Sequence, residues 1–246
     1  MKERKIVSGY RLKLIAMFTM LIDHITVVLV SNDHPYYLIG RIIGRLAFPI
    51  FCFLIIEGFL HTNNIKKYLS RLLIFAFISE IPFDLAFYEP GLTDEHKYHQ
   101  NIYFTLFLGL LTIALIHNLD EYFKKKGLQE NLSVERVNEF NLLQTFLNIF
   151  VLLTGCLVAY FLNTDYSFVG VLMIWGFYKF KNDPKMLILC MILLNSLYGL
   201  EQMVAILSLF LIKRYNGQRG PEINKFIFYG FYPIHLLFLY LIKTFL

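Results

Sequence analysis

Long apolar runs separated by short charged connections constrain this chain more than any other feature. Runs of roughly 18 residues or more recur along its length, and a run of that size matches the hydrocarbon core of a bilayer. Composition agrees, with 57% hydrophobic residues, 25 phenylalanines and only 17% charged residues, and with a mean hydropathy of +0.55. Soluble domains carry about a quarter of their residues as charged side chains. The sequence therefore predicts an all-α, polytopic transmembrane helix bundle, organised as one integral-membrane domain over residues 1–246.

Hydropathy places helices at roughly 12–30, 37–60, 66–87, 101–117, 142–162, 167–180, 186–198, 201–213 and 227–246. Basic connections lie at the N-terminus, at Lys66–Lys67, at Lys124–Lys126, at Lys179–Lys185 and at Lys213–Lys225. The connections between them hold Asp33, then Glu89, Asp94 and Glu95, then Asp165, then Glu201. This alternation predicts a cytoplasmic N-terminus and about nine spans, within a range of about 8–10. Segments 186–198 and 201–213 are each short, so a re-entrant or tilted hairpin broken near Gly199 and Glu201 is expected there. Residues 118–141 read as a polar cytoplasmic insert, amphipathic or looped. No small-residue cleavage site follows the first apolar run, so it reads as a retained helix. The net charge of +5 is spread over the loops and is assigned to membrane topology rather than to nucleic acid. Cys52, Cys156 and Cys190 lack metal-ligand spacing and read as packing residues, so no metal is expected.

Ionisable residues within apolar segments mark candidate functional sites. Asp23 and His24 lie in the first helix, and histidine is the side chain best suited to move a proton near neutral pH. Thr19, Asp23 and Thr26 share a face there, whereas His24 is turned about 100° from Asp23. Asp23 is thus expected to pair with an arginine rather than to orient His24. With the predicted topology, Arg41 and Arg45 of the second helix, Glu80 and Asp84 of the third, and Asn101 with Thr105 of the fourth reach the same outer layer. A second cluster falls toward the cytoplasm: Glu57, His61, Arg71 and the loop YNGQRG, Tyr215 to Gly220. In that loop Gly217 and Gly220 permit close backbone approach to a ligand, and Arg214 and Arg219 supply charge suited to phosphate. Pro233, two residues before His235, is expected to kink the last helix and free a carbonyl. A plain reading remains open beside these: an ion-pair network that only fixes helix register, a positive-inside loop, and a packed His235.

The stretches KLIAMFTMLIDHI (13–25), GRLAFPIFCFLIIEGFLHT (44–62) and KKYLSRLLIFAFISEIPFDLAF (66–87) carry a resemblance to the TraX family of bacterial membrane acetyltransferases. It continues through NIYFTLFLGLL (101–111), TDYSFVGVLMI (164–174), YNGQRG and FYGFYPIHLLFLYLI (228–242). One departure is Ser167, where the family pattern leads one to expect glycine. The resemblance implies a bacterial inner-membrane, multi-pass enzyme linked to N-terminal acetylation of pilin in conjugation, and similar to the wider transmembrane acyltransferase group. That group moves acetyl from cytoplasmic acetyl-CoA to an acceptor on the far side with a helix-borne histidine.

On that basis the catalytic set is His24, Asp23, Arg45 and Arg41. Acetyl-CoA contacts are expected at Arg71, Arg214, Asn216, Gly217, Arg219, His235 and Glu57, and acceptor contacts at Glu80, Asp84 and Asn101. His24 would act as general base and Arg45 or Arg41 would stabilise the oxyanion. The acceptor is a polypeptide N-terminus or a cell-surface glycan, and no residue chooses between them. Two other classes compete, a proton-coupled transporter and a non-enzymatic assembly protein. The transporter predicts an internal repeat, which is not apparent.

Overall fold

Pro49 breaks what hydropathy presents as one helix. Its ring cannot tolerate the carbonyl four residues earlier, that of Arg45. In the computed structural model, which describes residues 6–88, 99–129, 134–222 and 224–246, helix α2 (Pro35–Gly44) accordingly stops short of Arg45, and α3 (Ala47–Leu60) resumes beyond it. The expected single helix over 37–60 is thus two helices, and Arg45 sits at their junction. Helix α1 (Gly9–Leu29) precedes them, and α4 (Ile65–Phe87) follows, capped by the Asn64 side chain.

Helices α5 (Ile102–Gln129) and α6 (Val134–Phe161) are longer than the apolar runs. They absorb most of the polar insert expected at 118–141, and Asp120 ties them together by accepting from Gln144 Nε2 and Asn148 Nδ2 at 2.6 and 2.8 Å. The part of the insert at 130–133 lies outside the described residues. Helix α7 (Ser167–Lys179) and helix α8 (Pro184–Ser196) have 13 residues each. At 1.5 Å per residue each is about 20 Å long, short of the hydrocarbon thickness. A break at Gly199, with φ of +93°, separates α8 from a 3-10 helix (Leu200–Leu207) that leads into α9 (Ser208–Lys213). This is the break expected near Gly199, and the buried Asn195 and Gln202 side chains bond across it at 3.2 Å. Helix α10 (Lys225–Phe245) closes the chain.

Among the described residues the architecture is all-helical, apart from two isolated bridges. Five segments are long and apolar enough to cross a membrane: α1, the α2–α3 pair, α5, α6 and α10. Helix α4 has the length, but Arg71, Glu80 and Asp84 interrupt its apolar surface. The core lies where α3, α4, α5, α7 and α10 meet, around Ile56, Leu72, Leu110, Met173, Phe177 and Leu236. Helix α6 is peripheral and exposes Phe146, Phe150, Leu153 and Leu157, an apolar face suited to lipid.

Helices α1 and α10 run parallel. Lys13 near the start of α1 meets Phe228 near the start of α10, and His24 meets His235 further along both. The loop 214–220 wraps the start of α1: the Val7 amide donates to the Arg214 carbonyl, the Asn216 amide donates to the Val7 carbonyl, and Gln218 and Arg219 carbonyls accept from the Gly9 and Tyr10 amides. A Cβ on Gly220 would lie 2.8 Å from Ser8 Oγ, so this glycine lets the loop close on α1 rather than on a ligand.

Candidate active site: a histidine pair at the wall of a cavity

Two glycines let α1 and α2 approach closely. A Cβ on Gly40 would fall 1.9 Å from Thr26 Oγ1, and one on Gly44 would fall 2.3 Å from Asp23. This close approach allows Arg41 Nη1 to donate to Asp23 Oδ1 at 2.8 Å. Asp23 therefore pairs with an arginine, as its helical position demanded. Arg45 stands one turn on, and its buried Nε has no hydrogen-bond partner among the described residues.

A cavity of about 410 Å³ opens beside these groups, within the usual size of a small-molecule site. Asp23, His24, Arg41 and Arg45 line it, together with Tyr103 of α5 and Tyr232 of α10, whose ring stands edge-to-face with His24 at 5.9 Å. Two further walls come from segments that pair in extended form: Gln100 bonds Asn163 and Asp165 through backbone, which brings His99, Asp165 and Tyr166 to the cavity. Three non-glycine residues there, Asn163, Tyr166 and Ser167, have positive φ values of 51, 58 and 43°. Such conformations cost on the order of 1–3 kcal/mol each and persist only where surrounding contacts impose them. Stacking of Tyr166 on Phe48, with centroids 3.9 Å apart, is one such contact. The positive φ at Ser167 also explains the glycine expected there. Burial raises the Asp165 carboxyl above the usual carboxylate range, while the charges of His99, Arg45 and Arg41 pull it down.

His24 does not stand alone. Its Nδ1 lies 2.7 Å from His235 Nε2, with the rings 7° from coplanar and their centroids 5.0 Å apart. That edge-to-edge arrangement is the one an N–H···N bond requires. His235 Nδ1 is 2.7 Å from the Phe231 carbonyl, which can only accept. The tautomers follow from the partners. His235 carries its proton on Nδ1 and accepts at Nε2, so neutral His24 donates from Nδ1. The lone pair of His24 is left on Nε2, free to act as a base. Pro233 does free a carbonyl: that of Tyr229, four residues earlier, which accepts from the Tyr103 hydroxyl at 2.9 Å.

The remaining expected site residues are dispersed. Glu80 accepts from the Asn101 side chain, which also donates to the Ala76 carbonyl at 2.8 Å; neither Glu80, Asp84 nor Asn101 lines the cavity. Arg71 lies over the Tyr68 ring and reaches the Tyr229 hydroxyl. Glu57 bonds Tyr215, whose phenol is pushed by burial and by that carboxylate up to about 12. His61 Nδ1 donates to the Glu57 carbonyl. Arg214, Asn216 and Gly217 belong to the loop that wraps α1, and Arg219 lies beside Lys13 and Lys225. His235, grouped with the cofactor residues by sequence, stands beside His24 instead. Sequence reasoning also missed His99, Tyr103, Tyr166 and Tyr232, and noted Asp165 only as a loop charge. A Tyr-Pro-x-His pattern on the last helix and the Asp-Tyr pair before α7 were the available signals.

The sequence matches the family described as "TraX protein" over residues 8–243. It is also 38% identical over 113 residues to the "Probable fimbrial assembly protein FimC, serogroup H1" of Dichelobacter nodosus. That match covers 44% of this chain and 46% of the relative, so the chain spans about half the length of that curated relative. No solved structure matches. With the family pattern running through every element that walls the cavity, the chain belongs to the TraX family.

Proposed function

We propose that this chain is an integral-membrane acetyltransferase, moving acetyl from acetyl-CoA on the cytoplasmic side to an acceptor amine or hydroxyl on the outer side. The observation that carries this reading is the hydrogen-bonded series Phe231 carbonyl, His235, His24, which leaves His24 Nε2 unprotonated on a residue lining a cavity that also holds Arg45, whose Nε has no partner among the described residues. His24 Nε2 takes the acceptor proton as the acceptor nitrogen or oxygen attacks the thioester carbonyl. Arg45 then faces the oxyanion of the tetrahedral intermediate, with Asp23 holding Arg41 beside it. Collapse breaks the C–S bond, and the leaving thiolate takes the proton from His24. His235 acts as a positioning residue, fixing the His24 tautomer and sharing the proton while His24 carries it.

The finer topology belongs to the same reading. A cytoplasmic N-terminus and about nine crossings, in the bacterial inner membrane, follow from the loop charges. The parallel α1 and α10 support an odd total, since both then cross in the same direction. Within this scheme α4 and the short helices α7 to α9 complete the crossings. The fimbrial-assembly relative favours a polypeptide N-terminus over a surface glycan as acceptor. It equally suits a second reading, a non-enzymatic assembly protein in which the cavity transfers nothing.

Purified full-length protein, acetyl-CoA and two probe acceptors, a peptide with a free α-amine and glucosamine, separate the readings. The enzyme releases free thiol with peptide acetylation detected by mass, and His24→Ala protein loses it. Absence of thiol release and of any thermal stabilisation by acetyl-CoA would leave the assembly reading standing and remove ours.

A further inference from the structure

A second, smaller recess lies at the start of α1 and α10, lined by Tyr10, Lys13, Arg219, Pro221, Lys225 and Phe228. Among the described residues three cations line it beside one carboxylate, since Arg219 meets Glu222 at 3.4 Å while Lys13 lies 4.9 Å from the centre of the Phe228 ring. Arg219 and Lys225 stand close enough to Lys13 to act on its charge. Like charges crowd this way at a cost unless an anion is to be held between them.

Phe228 lines both this recess and the large cavity. Two helical faces join them. On α1, Lys13, Met17, Met20 and His24 follow at intervals of four, three and four; on α10, Lys225, Phe228, Tyr232 and His235 follow at three, four and three. Met17, Met20 and Tyr232 all line the cavity between the ends. From Lys13 to His24 is 11 residues of one helix, about 16 Å. A phosphopantetheine arm, as long as about five extended residues, spans about 17 Å.

We infer that Lys13, Arg219 and Lys225 form a phosphate subsite, from which the donor's arm passes Phe228 and lies along the α1–α10 seam with its thioester at His24. This rests on the acetyl-CoA reading and adds the residues that recognise the donor's charged end. It also assigns the Arg219 side chain to the ligand, while the backbone of the 214–220 loop, that of Arg219 included, holds α1.

Binding of CoA and of pantetheine, which lacks the phosphates, to full-length protein in neutral detergent tests it. Lys13→Gln and Lys225→Gln should each weaken CoA binding roughly tenfold, a lost charge-assisted contact apiece, and flatten its salt dependence. Pantetheine binding should be unchanged, and Lys185→Gln, an exposed lysine at the start of α8, should behave as wild type. CoA binding unaltered in both variants, or lost equally for pantetheine, overturns the subsite. Repeating the measurement in nanodiscs with and without anionic phospholipid separates the phosphate sources. If the variants change only the dependence on anionic lipid, the recess holds lipid headgroups and the inference fails. Wild-type protein that binds neither probe removes the acetyl-CoA reading itself, a different result from wild-type binding that ignores the lysines.

Discussion

Removing His235 isolates what the second imidazole contributes. In the resting pair the 2.7 Å contact is a neutral N–H···N bond, worth about 0.5–1.5 kcal/mol net. Once His24 carries the acceptor proton the same contact becomes charge-assisted and is worth about 1.5–3 kcal/mol. His235→Ala forfeits that stronger bond in the transition state and also frees His24 to place its proton on Nε2, where no base remains. The bond strengthens by about 1–1.5 kcal/mol on protonation, so its loss slows turnover about 5- to 15-fold, and the lost tautomer preference adds to that. His24→Ala removes the base and costs about 10²- to 10⁴-fold. His235→Gln should recover part of the loss, because its carbonyl oxygen accepts from His24 Nδ1–H. The double variant should be no slower than His24→Ala, since His235 acts only through His24. Thiol release from acetyl-CoA with the α-amine peptide as acceptor gives the rates, and thermal unfolding checks that each variant stays folded. Turnover of His235→Ala within twofold of wild type refutes the pairing, as does a double variant slowed by the product of both single effects.

Gly44→Ala should destabilise by about 1–3 kcal/mol, because the new Cβ, 2.3 Å from Asp23, must push that carboxylate off Arg41. Gly127→Ala in α5, where a Cβ meets nothing within 4 Å, should instead gain up to about 1 kcal/mol, and equal midpoints for the two in detergent unfolding would dismiss the clash. Tyr103→Phe should cost about 1–3 kcal/mol by stranding the Tyr229 carbonyl. Adding Pro233→Ala, which returns a backbone N–H to that carbonyl, should win most of it back in the same unfolding measurement; a further loss on adding it contradicts the pairing of donor with acceptor described above.

Much of this molecule was legible before any coordinates. Apolar run length dictates helices because a backbone in lipid must satisfy its own hydrogen bonds, and all-helical architecture follows. Local rules also placed Asp23 away from His24, set the break at Gly199 and freed a carbonyl at Pro233. These readings held because each depends on residues within one helix turn of each other. The unexpected break at Arg45 was equally local, written in Pro49 and overlooked under strong hydropathy.

What tertiary structure alone decided is which distant side chains meet. His24 and His235 are 211 positions apart, and their contact depends on α1 and α10 lying parallel at a matched height. The same packing divided the expected outer layer, sending Glu80 to Asn101 while His99, Asp165 and Tyr166 came to the cavity through a backbone pairing that hydropathy does not encode. Sequence by itself determined that polar groups stand inside an apolar bundle, since their cost is a property of each residue. Their partners are a property of rotation and register between helices, and those are set by packing contacts such as Gly44 on Asp23 that no single segment contains.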